Sequence, residues 1–85
     1  MSTVISESDA KQNIAANIQR LLIDRQWSQG ELARRTGEPI MMISRLCRGQ
    51  HMPNVLSLAR VAEAFDVSVD RLISSPPEKI SAKSA

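Results

Sequence analysis

The chain has 85 residues, 42% of them hydrophobic, which is enough for one small core and hardly for a second. With one Trp, one Phe and no Tyr, that core must be aliphatic, which favours helices over an aromatic-rich sheet. The net charge of +2 is too small to indicate a nucleic-acid partner by itself. One cysteine excludes an internal disulfide, and no apolar run has the length of a signal peptide or a membrane span. The expected location is therefore the cytoplasm, with no membrane partner.

The charges are distributed unevenly along the chain. Residues 28–60 carry five arginines and two glutamates, whereas residues 61–78 carry four acidic residues and only Arg71. A domain with a basic end and an acidic end can approach a polyanion in one orientation. A mixed, solvated surface explains the same charges equally well.

Five helices are predicted between about residues 9 and 74. The first covers about residues 9–26, because Ile14, Ile18, Leu21 and Leu22 have the spacing of one buried helical face. The flanking segments lack such a period. The predicted organisation is a disordered tail over 1–8, a folded domain over 9–74 and a disordered tail over 75–85.

The second helix is predicted over residues 28–36. Ser28 is the expected N-cap, and Glu31 can reach back to the Ser28 amide to complete a capping box. Trp27 and Leu32 are spaced for a hydrophobic staple. Gly37 ends the helix because glycine tolerates the left-handed conformation.

The third helix is predicted to begin at Pro39, whose fixed φ suits a first helical position, and to run through Arg48 until Gly49 ends it. Helices two and three are then joined by a turn of about three residues that contains Gly37. Two short helices with such a turn form the helix-turn-helix pattern.

Two further helices complete the prediction. Pro53 interrupts the loop, and Asn54 is a good N-cap for the fourth helix. Ser68 caps a short fifth helix, with Val67 and Leu72 spaced for a second staple.

Over residues 12–73 the chain resembles the Cro/C1-type (XRE-like) helix-turn-helix domain of phage repressors and bacterial regulators. The matching positions are Gln29, Leu32, Ala33, Gly37, Ile43, Leu46, Gly49, Pro53, Leu58, Ala62, Phe65, Val67, Ser68 and Leu72. The resemblance implies an all-α, compact five-helix bundle of the lambda-repressor-like type. It also implies that helix three enters the major groove of double-stranded DNA while helix two crosses the backbone.

The chain departs from this family at two facing positions. Many members pair an Arg late in helix one with a Glu near the end of helix three, where this chain has Leu22 and Cys47. Two apolar replacements avoid the stranded charge that a single replacement would leave. Cys47 is therefore interpreted as a small core residue. The alternative that Cys47 is a redox-sensing thiol stays open, because Arg48 next to it supplies a positive charge.

The resemblance, together with a step of about 100° per residue, defines the outward face of helix three. The predicted base contacts are Ile40, Met41, Ser44 and Arg45. The predicted phosphate contacts are Gln29, Arg48, Gln50, His51 and Asn54.

Ile40 and Met41 stand where the family commonly has polar residues. They can read thymine methyl groups, with Arg45 reading a guanine. They can also stay mainly in contacts within the protein. Alternatively, they form an apolar surface that binds another protein.

No nucleophile with a base partner and no set of metal ligands can be assembled, so neither catalysis nor a cofactor is expected. The predicted function is a sequence-specific transcription regulator, expected to be a repressor, that binds a two-fold symmetric operator of double-stranded DNA as a homodimer. The fifth helix and its preceding loop are the candidate dimer contact, through Val69, Ile73, Pro76 and Pro77. The alternative is a protein-interaction adaptor or an antitoxin that binds a toxin.

Overall fold

The computed structural model describes residues 5–76. Five α-helices form within that range: α1 (Glu7–Arg25), α2 (Gln29–Thr36), α3 (Ile40–Cys47), α4 (Val55–Phe65) and α5 (Val69–Ile73). The described residues contain no strand, and the predicted all-α fold is confirmed. The tail predictions for residues 1–4 and 77–85 lie outside the described residues.

Helix α1 begins two residues before the predicted start. Ser6 is its N-cap, and the Ser6 hydroxyl accepts a hydrogen bond from the Asp9 amide at 3.0 Å. The helix ends where Gln26 adopts a left-handed conformation with φ of 60°. The whole predicted apolar stripe is buried, which confirms the period from which the helix was predicted.

Helix α2 has the predicted cap but only half of the predicted capping box. The Ser28 hydroxyl accepts from the Glu31 amide at 3.0 Å. The Glu31 carboxylate instead accepts from Arg34 Nη2 at 2.5 Å and Arg35 Nε at 2.6 Å. These two guanidinium groups lower the pKa of Glu31. A charged partner on the next helical turn thus replaces the neutral Ser28 amide, since charge-assisted hydrogen bonds are the stronger ones.

The turn before α3 differs from the prediction at one residue. Gly37 has φ of 74°, as expected for the residue that ends α2. Pro39 is the N-cap of α3 rather than its first helical residue, because its ψ of 142° is extended. Its carbonyl accepts from the Ile43 amide at 3.2 Å, so the first helical residue is Ile40.

Helices α4 and α5 have the predicted caps. The Asn54 carbonyl oxygen Oδ1 accepts from the Ser57 amide at 2.8 Å. The Ser68 hydroxyl accepts from the Arg71 amide at 3.0 Å. Both helices therefore begin where the sequence places a short polar side chain.

The core lies where all five helices meet. Helix α1 packs on α3 and α5, α2 packs on α3 and α4, and α4 packs on α5. Trp27 packs against this core and stacks on Phe65, with ring centroids 5.3 Å apart. The buried Asn17 side chain donates to the Leu72 carbonyl at 2.7 Å and to the Ser74 carbonyl at 2.8 Å, which fastens α5 to α1.

Cys47 is part of that core. Its exposed fraction is 3%, and that of Leu22 is 7%. Burial raises the pKa of the Cys47 thiol, an effect that the nearby Arg48 opposes. A buried thiol with a raised pKa is a poor nucleophile, so the structure favours the core interpretation over the redox sensor.

Candidate nucleic-acid interface

Helix α3 divides into a buried face and an outward face. Ile43 and Leu46 are almost fully buried. Ile40 is 52% exposed and Met41 is 61% exposed, and Arg45 is exposed as well. The division predicted from the helical period is therefore observed, and it leaves two apolar side chains and one arginine in solvent.

The exposure of Ile40 and Met41 decides one of the open alternatives. More than half of each side chain is in solvent, so they do not stay mainly in contacts within the protein. The neighbouring Met42, in contrast, packs against the core. The first turn of α3 thus presents apolar surface that some other molecule can cover.

The arginines of residues 28–60 differ in whether an acidic side chain pairs with them. Arg34 and Arg35 are both paired with Glu31, and Arg60 is paired with Glu38. Within residues 5–76, no acidic group lies within salt-bridge distance of Arg45 or Arg48. Two of the three net positive charges of this segment therefore lie on Arg45 in α3 and on Arg48, the residue that caps the C-terminal end of α3.

Arg48 is held by two residues that the sequence assigned to DNA contacts. Its Nη1 donates to the Ser44 hydroxyl at 2.7 Å, and its Nε donates to Gln50 Oε1 at 3.2 Å. The structure thus brings Ser44, Arg48 and Gln50 together at the C-terminal end of α3. In this arrangement the Ser44 hydroxyl faces Arg48, whereas the prediction aimed it at a base.

The remaining predicted phosphate contacts lie at other helix starts and in the loop. Gln29 is the first residue of α2 and is exposed. Asn54 is the exposed N-cap of α4, and its Oδ1 atom is engaged with the Ser57 amide. His51 is half-buried in the loop before α4. Helix N-termini offer free amide groups and a positive dipole end to an anion.

Sequence reasoning missed the role of Glu38. Its Oε2 atom accepts from the Ser57 hydroxyl and from Arg60 Nη1, both at 3.0 Å. These bonds tie the turn before α3 to helix α4. No periodic pattern points to Glu38, and the only signal is an acidic residue inside a very short turn.

Sequence reasoning also missed two glutamines of α1. The Gln19 amide donates to the Cys47 carbonyl at the end of α3. Gly49 has φ of 71°, and a Cβ atom added there would lie 2.9 Å from the Gln12 amide nitrogen. Both glutamines lie on the side of α1 that packs on α3, which a helical wheel of α1 could have indicated.

In the part of the chain that the structure describes, no group of three or more His, Cys, Asp or Glu side chains could hold a metal ion. No helix in that part is both long and apolar enough to cross a membrane.

Two short helices joined by a glycine-containing turn, the second with one face in solvent, form the helix-turn-helix motif of DNA-binding domains. A sequence model described as helix-turn-helix matches residues 18–72. The chain therefore belongs to the helix-turn-helix family of DNA-binding transcription regulators, of the Cro/C1 type.

A solved structure is similar over nearly the whole chain. It is the crystal structure of the hypothetical transcription factor NHTF from Neisseria, with 25% identity and a TM-score of 0.78. The likeness covers 95% of this chain and 93% of that one. No curated protein matches the sequence.

Proposed function

We propose that this protein is a sequence-specific repressor that binds a two-fold symmetric DNA operator as a homodimer. The observation that carries the proposal is the outward face of α3, where Arg45 and Arg48 lack acidic partners within residues 5–76 and Ile40 and Met41 are exposed. Family membership and the likeness to a transcription factor support the same class of function.

In the proposed complex, the first turn of α3 and Arg45 read the bases. Ile40 and Met41 contact thymine methyl groups, which are the apolar features of the major groove. Arg45 donates two hydrogen bonds to one guanine. A short helix can reach several base pairs with these three side chains because it lies along the groove.

Phosphates are bound on both sides of that helix. Arg48 contacts one phosphate at the C-terminal end of α3. The start of α2 at Gln29 and the start of α4 at Asn54 offer helix N-termini to others, and His51 in the loop before Asn54 contacts a further phosphate. These contacts fix the register of the protein on DNA without reading sequence.

Two copies join through α5 and the loop before it. Val69 is 37% exposed, and Ile73 and Pro76 are half-buried, so this end of the domain keeps apolar surface in solvent. Pro77 was predicted to contribute as well and lies outside the described residues. A two-fold dimer places its recognition helices in successive major grooves about 34 Å apart, and it represses by occluding a promoter.

A second candidate is an adaptor or antitoxin that uses the exposed apolar face of α3 to bind a protein such as a toxin. The observation that favours it is that further apolar side chains are exposed in the loop after α3 and at the start of α4. Met52 is 38% exposed, Leu56 is 58% exposed and Val55 is 83% exposed. Exposed apolar side chains that lie close together mark interaction sites on small proteins.

Selection of bound sequences from a random duplex pool tests the proposal. We expect enrichment of an inverted repeat with half-site centres about 10 base pairs apart. The Arg45→Ala, Arg48→Ala variant should enrich nothing. The charge-matched control, Lys11→Ala with Arg20→Ala on α1, should enrich the same repeat.

A pool without any enriched sequence overturns the repressor proposal. The second candidate then requires a purified partner protein whose binding is lost in the Ile40→Ala, Met41→Ala variant. A single enriched half-site without the repeat would leave sequence-specific binding intact and overturn the homodimer.

A further inference from the structure

The Arg48 guanidinium is held by neutral acceptors rather than by an acid. The Ser44 hydroxyl lies one helical turn earlier, and the Gln50 amide oxygen lies two residues later. Neither acceptor carries a charge, unlike the Glu31 carboxylate that pairs with Arg34 and Arg35. Arg48 is therefore oriented while its full positive charge stays available to a ligand.

The backbone around Arg48 is fixed as well. The Arg48 amide donates to the Ser44 carbonyl at 3.2 Å. On one side, the Cys47 carbonyl accepts from the Gln19 side chain. On the other side, Gly49 lies against the end of the Gln12 side chain. Helix α1 thus holds the segment from which the Arg48 side chain extends.

This arrangement leaves most of the N–H donors of the guanidinium unused. Arginine has five N–H donors in a planar fork, and the Ser44 and Gln50 bonds engage one on Nη1 and one on Nε. One N–H of Nη1 and both of Nη2 are not used by these two bonds. Both N–H groups of Nη2 therefore stay available to phosphate oxygens.

We infer that Ser44 and Gln50 are positioning residues, which hold Arg48 ready for a DNA phosphate instead of contacting DNA themselves. The inference rests on the proposed function, and it changes the roles that the sequence suggested for both residues. An arginine that is already ordered loses less side-chain freedom when it binds. Removing one acceptor should weaken binding by about 2- to 10-fold per half-site, equally for all operator sequences.

A double-mutant cycle separates positioning from direct contact. Ser44→Ala should weaken binding of the selected operator by about 2- to 10-fold per half-site in the wild-type background and leave the affinity of the Arg48→Ala variant unchanged. Gln50→Leu should behave in the same way. Ser44→Thr keeps the hydroxyl and should bind like the wild type. The Ser44→Ala variant should fold, because alanine has the higher helix propensity.

Two results in this cycle would overturn the inference. An equal loss for Ser44→Ala with and without Arg48 would mean that Ser44 contacts DNA itself. A changed preference at one base pair would make Ser44 a base-reading residue, as its position in the helix suggested.

A measurement without DNA completes the test. In the free protein, 15N relaxation of the arginine Nε–H groups should show Arg48 to be more ordered than Arg45. That order should fall in the Ser44→Ala and Gln50→Leu variants. Equal mobility of Arg48 and Arg45 in the wild type would overturn the positioning role. If Arg48 is ordered but the protein binds no duplex, the proposed function is wrong, and a DNA phosphate is not the ligand of Arg48.

Discussion

The Glu38 carboxylate, in the turn between α2 and α3, accepts a hydrogen bond from Arg60 of α4 at 3.0 Å. The same oxygen accepts from the Ser57 hydroxyl. The Glu38 side chain is 9% exposed, whereas that of Arg60 is 46% exposed. A nearly buried carboxylate with two donors thus sets where the outward helix begins relative to α4.

Replacing Glu38 should destabilise the fold. Glu38→Ala leaves the Ser57 hydroxyl without its acceptor and removes a charge-assisted bond, so we expect a loss of about 1–3 kcal/mol in the free energy of unfolding. Urea melts followed by Trp27 fluorescence can measure it, because Trp27 stacks on the core residue Phe65. The control is Glu7→Ala, whose pair with Lys11 is long at 3.8 Å and exposed. Equal losses for both variants would show that the Glu38 hydrogen bonds stabilise the fold no more than an exposed surface pair does.

Thymine methyl groups should contribute to binding through Ile40 and Met41. Replacing thymine with uracil at the contacted steps of the selected operator should cost about 1 kcal/mol of binding free energy, mainly lost apolar burial. The Ile40→Ala, Met41→Ala variant should be nearly indifferent to this replacement. Binding curves at one fixed salt concentration measure both effects.

Arg45→Ala provides the matched comparison. It should cost about 1–3 kcal/mol and lose discrimination at one guanine, while the methyl effect persists. If the uracil operator binds wild type and the Ile40→Ala, Met41→Ala variant with the same relative loss, those two side chains do not read methyl groups.

The Cys47 thiol should make stability fall at alkaline pH. Because burial raises its pKa in the folded state, the folded protein keeps a proton that the unfolded chain has released. This contribution is complete below the ordinary thiol pKa of about 8.5, and it is lost as pH rises from there through the folded pKa. Melts from pH 7 to 10 should show the decline in the wild type and a smaller one in Cys47→Ala.

Reactivity gives an independent measure of the same thiol. At neutral pH, a thiol-specific disulfide reagent should modify the native protein at least about ten times more slowly than the urea-unfolded chain, because the thiolate is both scarce and covered. Fast modification that also changes DNA affinity would revive the redox sensor.

Leu22 and Cys47 should behave as a coupled pair. Leu22→Arg alone places a charge in the apolar core and should cost several kcal/mol, on the order of 3–5. Adding Cys47→Glu should recover much of that loss, because the new carboxylate can pair with the guanidinium. Denaturant melts of both single variants and the double variant measure the coupling. Additive losses would mean that the two side chains do not meet.

The sequence by itself determined the helices and the outward face of α3. These features depend on positions only a few residues apart. They are the buried stripe of Ile14 and Ile18, the caps at Ser28 and Asn54, and the burial of Ile43 beside the exposure of Ile40. Such local patterns follow from the helical period and from the free amides of a first turn. They predict secondary structure and burial before any tertiary contact is known.

The tertiary structure decided which polar groups meet. The Asn17 amide holds the end of α5, and Glu38 holds Arg60, which lies 22 residues away. Pairing across such distances depends on how the helices pack, and no periodic pattern encodes it. The closer contacts depend on side-chain rotamers, because the sequence alone does not say that the Arg48 guanidinium turns toward Ser44 and Gln50. The order of charges along the chain does not say which carboxylate each arginine will pair with. The folded structure therefore decides which arginines lack an acidic partner among the described residues.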